Sequence, residues 1–187
     1  SDDDDLSTAD LVRRLARAMG RPARLLSVPP RLLAVVAAAL LSVASTASAQ
    51  VKHIQNTNPG GIADAVWVGD TLYVSGQLPN PTKPADRATN TPAVWGNTNE
   101  QADSAFQKVQ AALKAQGLGM GDVVMMRVYM VAAPDGKLDF AGMNAAYNKY
   151  FGTADQPNKP ARTTVQVAAL VTAGALLEVE VQAARNK

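Results

Sequence analysis

The chain has 187 residues, of which 47% are hydrophobic and 18% charged, a composition typical of a globular protein with one core. With no cysteine and a single histidine, His53, the sequence excludes disulfides, thiol nucleophiles, thiolate metal sites and His-rich metal sites. The net charge is +2, and residues 50–187 carry 12 basic and 11 acidic side chains, a balance that argues against nucleic acid as a partner.

An apolar segment, residues 32–49 (LLAVVAAALLSVASTASA), follows a basic stretch and ends in an Ala-x-Ala site. These features are typical of a secretory signal, so we expect cleavage after Ala49 and a periplasmic or secreted product without stable membrane association. The alternative is a membrane anchor, although the strongly apolar part, Leu32–Ala44, is shorter than the roughly 20 residues that a spanning helix needs. Residues 1–20 begin with an acidic run that is unusual before a signal peptide. Whether they are native, or an extension ahead of a natural start at Met19, stays open.

Residues 1–49 are therefore interpreted as a leader, and residues 50–187 as the folded domain. Three short β-type runs, VKHIQ, AVWV and TLYVSGQ, are bounded by turn residues, and Val68–Thr71 predicts a hairpin. A polar, Pro-rich loop over 78–97 leads to a helix with a capping box at Thr98 and Gln101. Apolar residues at helical spacing support that helix: Ala102, Ala105, Phe106, Val109, Ala112 and Leu113.

The run DVVMMRVYMVA predicts a fourth strand, residues 138–151 return to helical periodicity, and ARTTVQVAAL and ALLEVEVQAA predict a closing hairpin that turns at 172–174. The order β-β-β-α-β-α-β-β indicates an α+β fold: one mixed sheet of about six strands with two helices on a single face. Alternation along the last two strands predicts that one set of residues faces the helices, namely Val165, Val167, Val179 and Val181, and that a polar set faces away, namely Thr164, Gln166, Glu178 and Glu180. The uncovered sheet face is where we expect an oligomer to form.

Arg162 begins its strand shortly after Pro160, where its planar guanidinium could hold a carboxylate through two parallel hydrogen bonds. The alternative is an ordinary ion pair with a surface acid. Glu178 and Glu180 lie on one face of the last strand, where one of them could activate a water or simply be solvated. In the predicted hairpin Arg162 and Glu178 lie about 17 Å apart, so they would share a small substrate only across a subunit interface.

Two further positions carry weaker signals. Ser75 and Gly76, in the sequence SGQ, end a strand with a hydroxyl and a flexible backbone, which suits binding of a water or a small anion. Asn144 lies among apolar neighbours on the second helix, where an amide is usually a cap or a core hydrogen-bonding group. His53 has no partner in the sequence pattern and is assigned no function.

The segments YVSGQLP, DFAGMNAAYNKYF and PARTTVQVAAL with LLEVEVQAA resemble the reactive intermediate deaminase (Rid, YjgF-type) family over nearly all of residues 50–187. The resemblance implies a homotrimer with a chorismate-mutase-like barrel and a pocket at each subunit interface. In that pocket, imines and enamines of 2-amino acids are hydrolysed to 2-keto acids and ammonia without a metal or an organic cofactor. It further implies that Arg162 binds the substrate carboxylate, that Glu178 orients the attacking water, and that other residues line the pocket: Ser75, Gly76, Asn144 and Thr164.

The sequence departs from the family pattern at two positions, with Ile62 where a tyrosine is frequent and Thr163 directly after the arginine. Both departures bear on the range of substrates. Two functions therefore stay open: an imine deaminase acting on small 2-imino acids, and a non-catalytic periplasmic module that binds small carboxylate metabolites in the same pocket. Ribonuclease activity receives little support, because no basic stripe with interleaved aromatic residues is present.

Overall fold

The computed structural model describes residues 8–20, 49–56, 61–133 and 135–185. The chain divides into two compact units, Ser1–Ser48 and Ala49–Lys187. In the first unit, helix α1 (Thr8–Ala18) carries Asp10 in its first turn and Arg17 in its last, where these charges favour the helix dipole. The predicted signal segment, apart from Ala49, lies outside the described residues. Within the described ranges, no helix has both the length and the apolar character needed to cross a bilayer.

The second unit contains six strands and two α-helices in the predicted order. The elements are β1 (Val51–Ile54), β2 (Ala65–Val68), β3 (Thr71–Gln77), α2 (Thr98–Ala115), a 3-10 turn (Met120–Asp122), β4 (Val123–Met130), α3 (Phe140–Tyr147), β5 (Ala161–Gln166) and β6 (Leu177–Ala184). The hairpin between β2 and β3 is confirmed, because Val68 pairs with Thr71 and Gly69 takes the positive φ of +59° that its tight turn requires. The predicted α+β architecture is therefore confirmed.

The strands form one sheet in the order β1-β2-β3-β6-β4-β5, in which β4 and β5 are parallel and every other pair is antiparallel. The predicted hairpin between β5 and β6 is wrong, because β4 lies between them. Parallel strands require a crossover connection, and the segment containing α3 supplies it between β4 and β5. The last strand then inserts between β3 and β4, so the turn near residue 173 belongs to a longer connection.

One face of the sheet is covered by α2 and α3, whose buried residues pack with those of the strands into a single core. Val179 and Val181 face this core, whereas Glu178 and Glu180 face away, as predicted. The predicted assignment of the β5 side chains to the two faces of the sheet is wrong. Thr164 pairs with the fully buried Val128 and so lies on the helix side, while Val165 lies on the open face. The alternation along β5 is genuine, but its polar set faces α3.

The N-cap of helix α2 lies one residue earlier than predicted. Asn97 is the N-cap, and Glu100 completes the capping box with hydrogen bonds of 3.0 and 2.8 Å. Gln101 is instead buried, and its amide binds the carbonyl oxygens of Gly96 and Gly174 and the backbone N–H of Leu176. This buried amide ties the start of α2 to the connection that leads into β6.

Candidate functional site

Arg162 lies on the helix side of the edge strand β5, beneath helix α3. Its guanidinium carbon lies 4.4 Å from the centre of the Tyr147 ring and 5.7 Å from that of Phe140, and Nη1 lies 4.0 Å from the sulfur of Met143. These three residues are spaced by three and four along α3, so they form one stripe. Within the described residues Arg162 forms no ion pair. A half-buried guanidinium is thus held against aromatic faces with its hydrogen-bond donors free of any acid.

Two other predicted site residues lie beside Arg162. Thr164 follows it by two on the same side of β5, and its buried Oγ1 has no hydrogen-bond partner among the described residues. Asn144 is half-buried on α3, three residues before Tyr147 and four after Phe140, so it lies on the same side of that helix. A cation, an orphan hydroxyl and an amide therefore converge at this edge of the sheet, which we call the arginine half-site.

Glu178 lies on the open face of the central strand β6, against the backbone of Gly76 on β3. A Cβ atom placed on Gly76 would overlap the carboxylate of Glu178, so only glycine permits this close approach. The carboxylate is half-buried and forms neither a hydrogen bond nor an ion pair within the described residues. Glu178 is therefore packed in place by the backbone and keeps both of its oxygens available.

A β-bulge places Ser75 and Gly76 in this position. The pairing of β3 with β6 shifts between Val74 and Gln77, which leaves one extra residue on β3. The Ser75 hydroxyl donates a 2.6 Å hydrogen bond to the carbonyl of Ala63, so its proton is already committed and it can only accept from a ligand. Ser75, Gly76 and Glu178 form the second group of predicted site residues, which we call the glutamate half-site.

The two half-sites lie on opposite faces of the same sheet. Arg162 pairs with Met126 and Glu178 pairs with Tyr129, so they are separated by one intervening strand and three residues along the strand direction. Together, these two displacements place the Cα atoms of Arg162 and Glu178 about 14 Å apart. The paired residue Met126 faces the core and Tyr129 faces away, which sets the two side chains on different faces. The structure of one chain thus brings the six predicted residues together as two groups of three.

Sequence reasoning missed a charged cluster beside Glu178. Arg127 and Glu180 pair directly across β4 and β6 and form a 2.5 Å ion pair, and the Tyr129 hydroxyl donates to the other oxygen of Glu180 at 3.3 Å. Burial, followed by the charge of Glu180, raises the pKa of Tyr129, so this hydroxyl stays protonated at neutral pH. The alternation of Arg127 and Tyr129 with apolar residues was a signal that could have placed both of them on the open face.

The aromatic wall around Arg162 was also missed, although its spacing is readable in the sequence. Phe140, Met143 and Tyr147 follow the three- and four-residue spacing of one helix face. Burial raises the pKa of Tyr147, while the positive charge of Arg162 opposes that rise. Tyr147 is therefore a neutral platform under the guanidinium at physiological pH.

Four of the cavities on the described part of the chain lie away from both half-sites. Four cavities of about 620, 380, 350 and 310 Å³ open on the described part of the chain, and none of the four is lined by any of the six predicted residues. The described residues also contain no group of three or more acidic or histidine side chains that could hold a metal ion. Ile62, at the position where the family pattern favours tyrosine, is 72% exposed.

Comparison with known proteins agrees with this fold. The sequence profile of the family described as Endoribonuclease L-PSP matches residues 58–185. A RutC family protein of Saccharolobus solfataricus is 40% identical over 111 residues, which cover 59% of this chain and 77% of the relative. A Salmonella typhimurium protein named 2-iminobutanoate/2-iminopropanoate deaminase is 33% identical, with the same two coverages. The crystal structure of yeast Mmf1 is 28% identical and matches with a TM-score of 0.56, covering 73% of this chain and 100% of that one. The chain therefore belongs to the endoribonuclease L-PSP family, the YjgF/Rid family.

Proposed function

We propose that this chain hydrolyses small 2-imino acids, and the enamines in equilibrium with them, to 2-keto acids and ammonia. The observation that carries the proposal is the state of Arg162: half-buried, stacked on Tyr147, and without an acidic partner in the described residues. The name of the Salmonella relative supports the same chemistry. Substrates of the size of 2-iminopropanoate and 2-iminobutanoate suit this proposal.

In this proposal Arg162 binds the substrate carboxylate. A planar guanidinium presents two parallel N–H groups that match a carboxylate, and its burial against Tyr147 strengthens that pairing relative to a solvated arginine. The hydroxyl of Thr164 and the amide of Asn144 would complete the recognition of the polar end of the substrate. Thr164 would then gain the partner that it lacks within the chain.

Glu178 would orient the water that attacks the imine carbon. As the oxygen of water bonds to that carbon, the C=N bond becomes a single bond and one proton of the water passes to the carboxylate of Glu178. The protonated carboxyl then returns this proton to the nitrogen, which gives an amino group and a hydroxyl on the same carbon. The hydroxyl proton passes to the nitrogen through the same carboxylate, the C–N bond breaks, and ammonia leaves as the C–O bond becomes the keto C=O. The net reaction consumes one water per imine. We expect it to need no metal or organic cofactor, because proton transfer and a positioned water suffice.

The proposed site requires more than one copy of the chain, because Arg162 and Glu178 lie on opposite faces of the sheet in a single copy. We therefore propose a homotrimer in which the arginine half-site of one copy meets the glutamate half-site of its neighbour. Export to the periplasm, with loss of residues 1–49 and no stable membrane association afterwards, is likewise a proposal that depends on the leader sequence.

The test is an imine-loss assay on the assembled protein. 2-Iminopropanoate is generated in situ from alanine by an amino-acid oxidase, and semicarbazide traps the fraction that has not been hydrolysed. We expect the wild-type protein to lower the rate of trapping, and Arg162→Ala and Glu178→Gln each to reduce this effect about 100-fold. Arg185→Ala is the matched control, because Arg185 also stacks on an aromatic ring, 4.5 Å from Trp67, but lies in neither half-site.

A different result would select the second candidate function, non-catalytic binding of a small carboxylate. The same free guanidinium and orphan hydroxyl favour it. Calorimetric titration with pyruvate or 2-oxobutanoate that shows Arg162-dependent binding, together with an imine-loss rate equal to that without protein, would establish a binding module. Absence of both binding and turnover would reject both functions.

A further inference from the structure

The open face of β6 carries two carboxylates in different states. Glu178 and Glu180 are two residues apart on one strand, so their Cα atoms lie about 7 Å apart. Glu180 uses both of its oxygens within the chain, one on the guanidinium of Arg127 and the other on the hydroxyl of Tyr129. Glu178 uses neither oxygen within the described residues. Two chemically identical groups are thus separated into a restrained one and a free one.

We propose that Arg127 and Tyr129 are positioning residues that restrain Glu180 and cancel its charge, so that Glu178 alone remains free and negatively charged to act on water. This inference rests on the proposed function, since it assigns a purpose to the neighbours of Glu178. It adds two residues that do not contact the substrate and act only through Glu180.

The register of the strands explains how Arg127 and Tyr129 together bind both carboxylate oxygens of Glu180. Arg127 lies directly across from Glu180 on β4, whereas Tyr129 lies directly across from Glu178 and reaches diagonally to Glu180. Tyr129 therefore lies beside Glu178 but donates its hydroxyl hydrogen bond to Glu180. Without this diagonal contact, the Tyr129 hydroxyl would be free to donate to Glu178 and occupy one of its oxygens.

The electrostatic potential at Glu178 depends on every charged or titratable group that faces it. Strand β4 contributes Arg127 and Tyr129, β6 contributes Glu180, and β3 contributes no charged group, with Ser75 and Gly76 beside the carboxylate. Both helices pack on the opposite face. Within one chain, Arg127 and Glu180 are the only charged side chains among these, so removing one of them leaves the other uncompensated near Glu178. In the proposed trimer the neighbour's Arg162 also faces Glu178, but it is the same in wild type and in every variant.

This arrangement predicts shifts of opposite sign in the pH profile. Arg127→Met leaves Glu180 unpaired, and its negative charge should move the acid limb of the kcat profile up by about 0.5 to 1 pH unit. Glu180→Gln leaves Arg127 unpaired, and its positive charge should move the same limb down by a similar amount. The double variant Arg127→Met/Glu180→Gln has no uncompensated charge, so its limb should return to within about 0.2 pH units of wild type.

A second readout does not depend on catalysis. The carbon-13 carboxyl signal of Glu178, identified by its absence from Glu178→Gln, reports the protonation midpoint directly in each of the four proteins. The same up, down and restored pattern supports the proposal. Midpoints that do not move, or that move in one direction in all three variants, overturn it.

Failure of the proposed function can be distinguished from failure of the positioning role of Arg127 and Tyr129. If no protein accelerates imine hydrolysis, the proposed function fails and the carboxyl midpoints alone decide whether Arg127 and Glu180 control the charge at Glu178. If hydrolysis occurs and the variants only lower the midpoint of urea unfolding, the pair is structural and the positioning role is wrong. Circular dichroism of each variant at the assay temperature verifies that the measured protein is folded.

Discussion

At the scale of single residues, the candidate site is marked by polar groups whose hydrogen-bonding capacity is unused. Arg162 lacks an acid, Glu178 lacks a cation, and the buried hydroxyl of Thr164 lacks any partner within the described residues. Elsewhere the chain satisfies comparable groups, as the buried amide of Gln101 shows with three hydrogen bonds. Unpaired groups that are buried or half-buried cost stability, so their occurrence at three of the six predicted positions supports the proposed binding role.

Thr164→Val should stabilise the protein and weaken its function. The substitution keeps the shape of the side chain and removes an unsatisfied hydroxyl, so we expect the free energy of unfolding to rise by about 1 kcal/mol. The apparent affinity for the imino acid, or for pyruvate as its product analogue, should fall. Urea unfolding and calorimetry measure the two effects. Thr163→Val, on the exposed neighbour, is the control and should change stability by less than about 0.5 kcal/mol. A less stable Thr164→Val protein would contradict the prediction.

Gly76→Ala should reduce turnover with little effect on the rest of the fold. The new methyl group would occupy the space of the Glu178 carboxylate and displace it, and a displacement of about 1 Å can cost roughly 100-fold in rate. The imine-loss assay measures this. Gly119→Ala is the matched control, because its nearest contact would be an ordinary 3.9 Å from Asp122 and its φ of −126° suits alanine. Equal activity of the two variants would show that the close approach is not required.

At the scale of elements, local patterns predicted the existence and order of the strands and helices but not every pairing. Periodicity and turn residues were sufficient for the β2–β3 hairpin and for α2, because both depend on neighbours in the sequence. The position of β6 depends on the core, which accepts its buried valines between β3 and β4, and no local signal in β5 or β6 encodes that choice. The faces predicted for the β5 side chains were wrong for the same reason, since Arg162 and Thr164 face α3 rather than solvent.

The wrong pairing of β5 with β6 also affected the prediction of the site. Arg162 and Glu178 were recognisable from residue type and position, and from the family resemblance, but their separation was derived from a hairpin that does not form. The conclusion that they cannot meet within one chain still holds, for a different reason: they occupy opposite faces. The contacts of Arg127, Glu180 and Tyr129 join two strands distant in sequence, so a correct strand register was needed to find them.

The packing of α2 against α3 predicts how stability responds to alkaline pH. Tyr150 packs on Phe106 and donates a 3.1 Å hydrogen bond to Asp103, and burial, followed by Asp103, raises its pKa above the ordinary value of 10. A pKa that is raised in the folded state favours folding below the unfolded value. The contribution of Tyr150 to stability should therefore be constant below about pH 10 and decline as the pH rises through the folded pKa. Urea unfolding between pH 8 and 11 measures this, and Tyr150→Phe should decline less steeply. Identical slopes would exclude Tyr150 as a cause.

At the scale of the whole molecule, the proposed function would make catalysis a property of the proposed trimer, because the two half-sites lie on opposite faces of one sheet. A single chain presents the proposed anion-binding group on one face of its sheet and the proposed water-positioning group on the other. In this proposal, a copy that binds substrate through Arg162 would depend on its neighbour for Glu178. Any condition that separates the copies should remove activity while leaving each domain folded.

A complementation experiment tests this dependence. Arg162→Ala and Glu178→Gln proteins, each inactive alone, are co-expressed or dissociated and reassembled together. Random mixing of equal amounts places an intact arginine beside an intact neighbouring glutamate at about a quarter of the interfaces, so about a quarter of wild-type activity should return. If both residues served the same chain, no mixture would regain activity. Mixing the two proteins without subunit exchange is the control.

The two strands that terminate the sheet have a further consequence. β1 is four residues long and carries Lys52 and His53, and β5 is six residues long and carries Arg162 and two threonines. Short, polar edge strands are poor templates for the repeated addition of strands by which fibrils grow. If the proposed trimer dissociates, its separated copies should therefore resist fibril formation through these edges, and reassembly should stay possible.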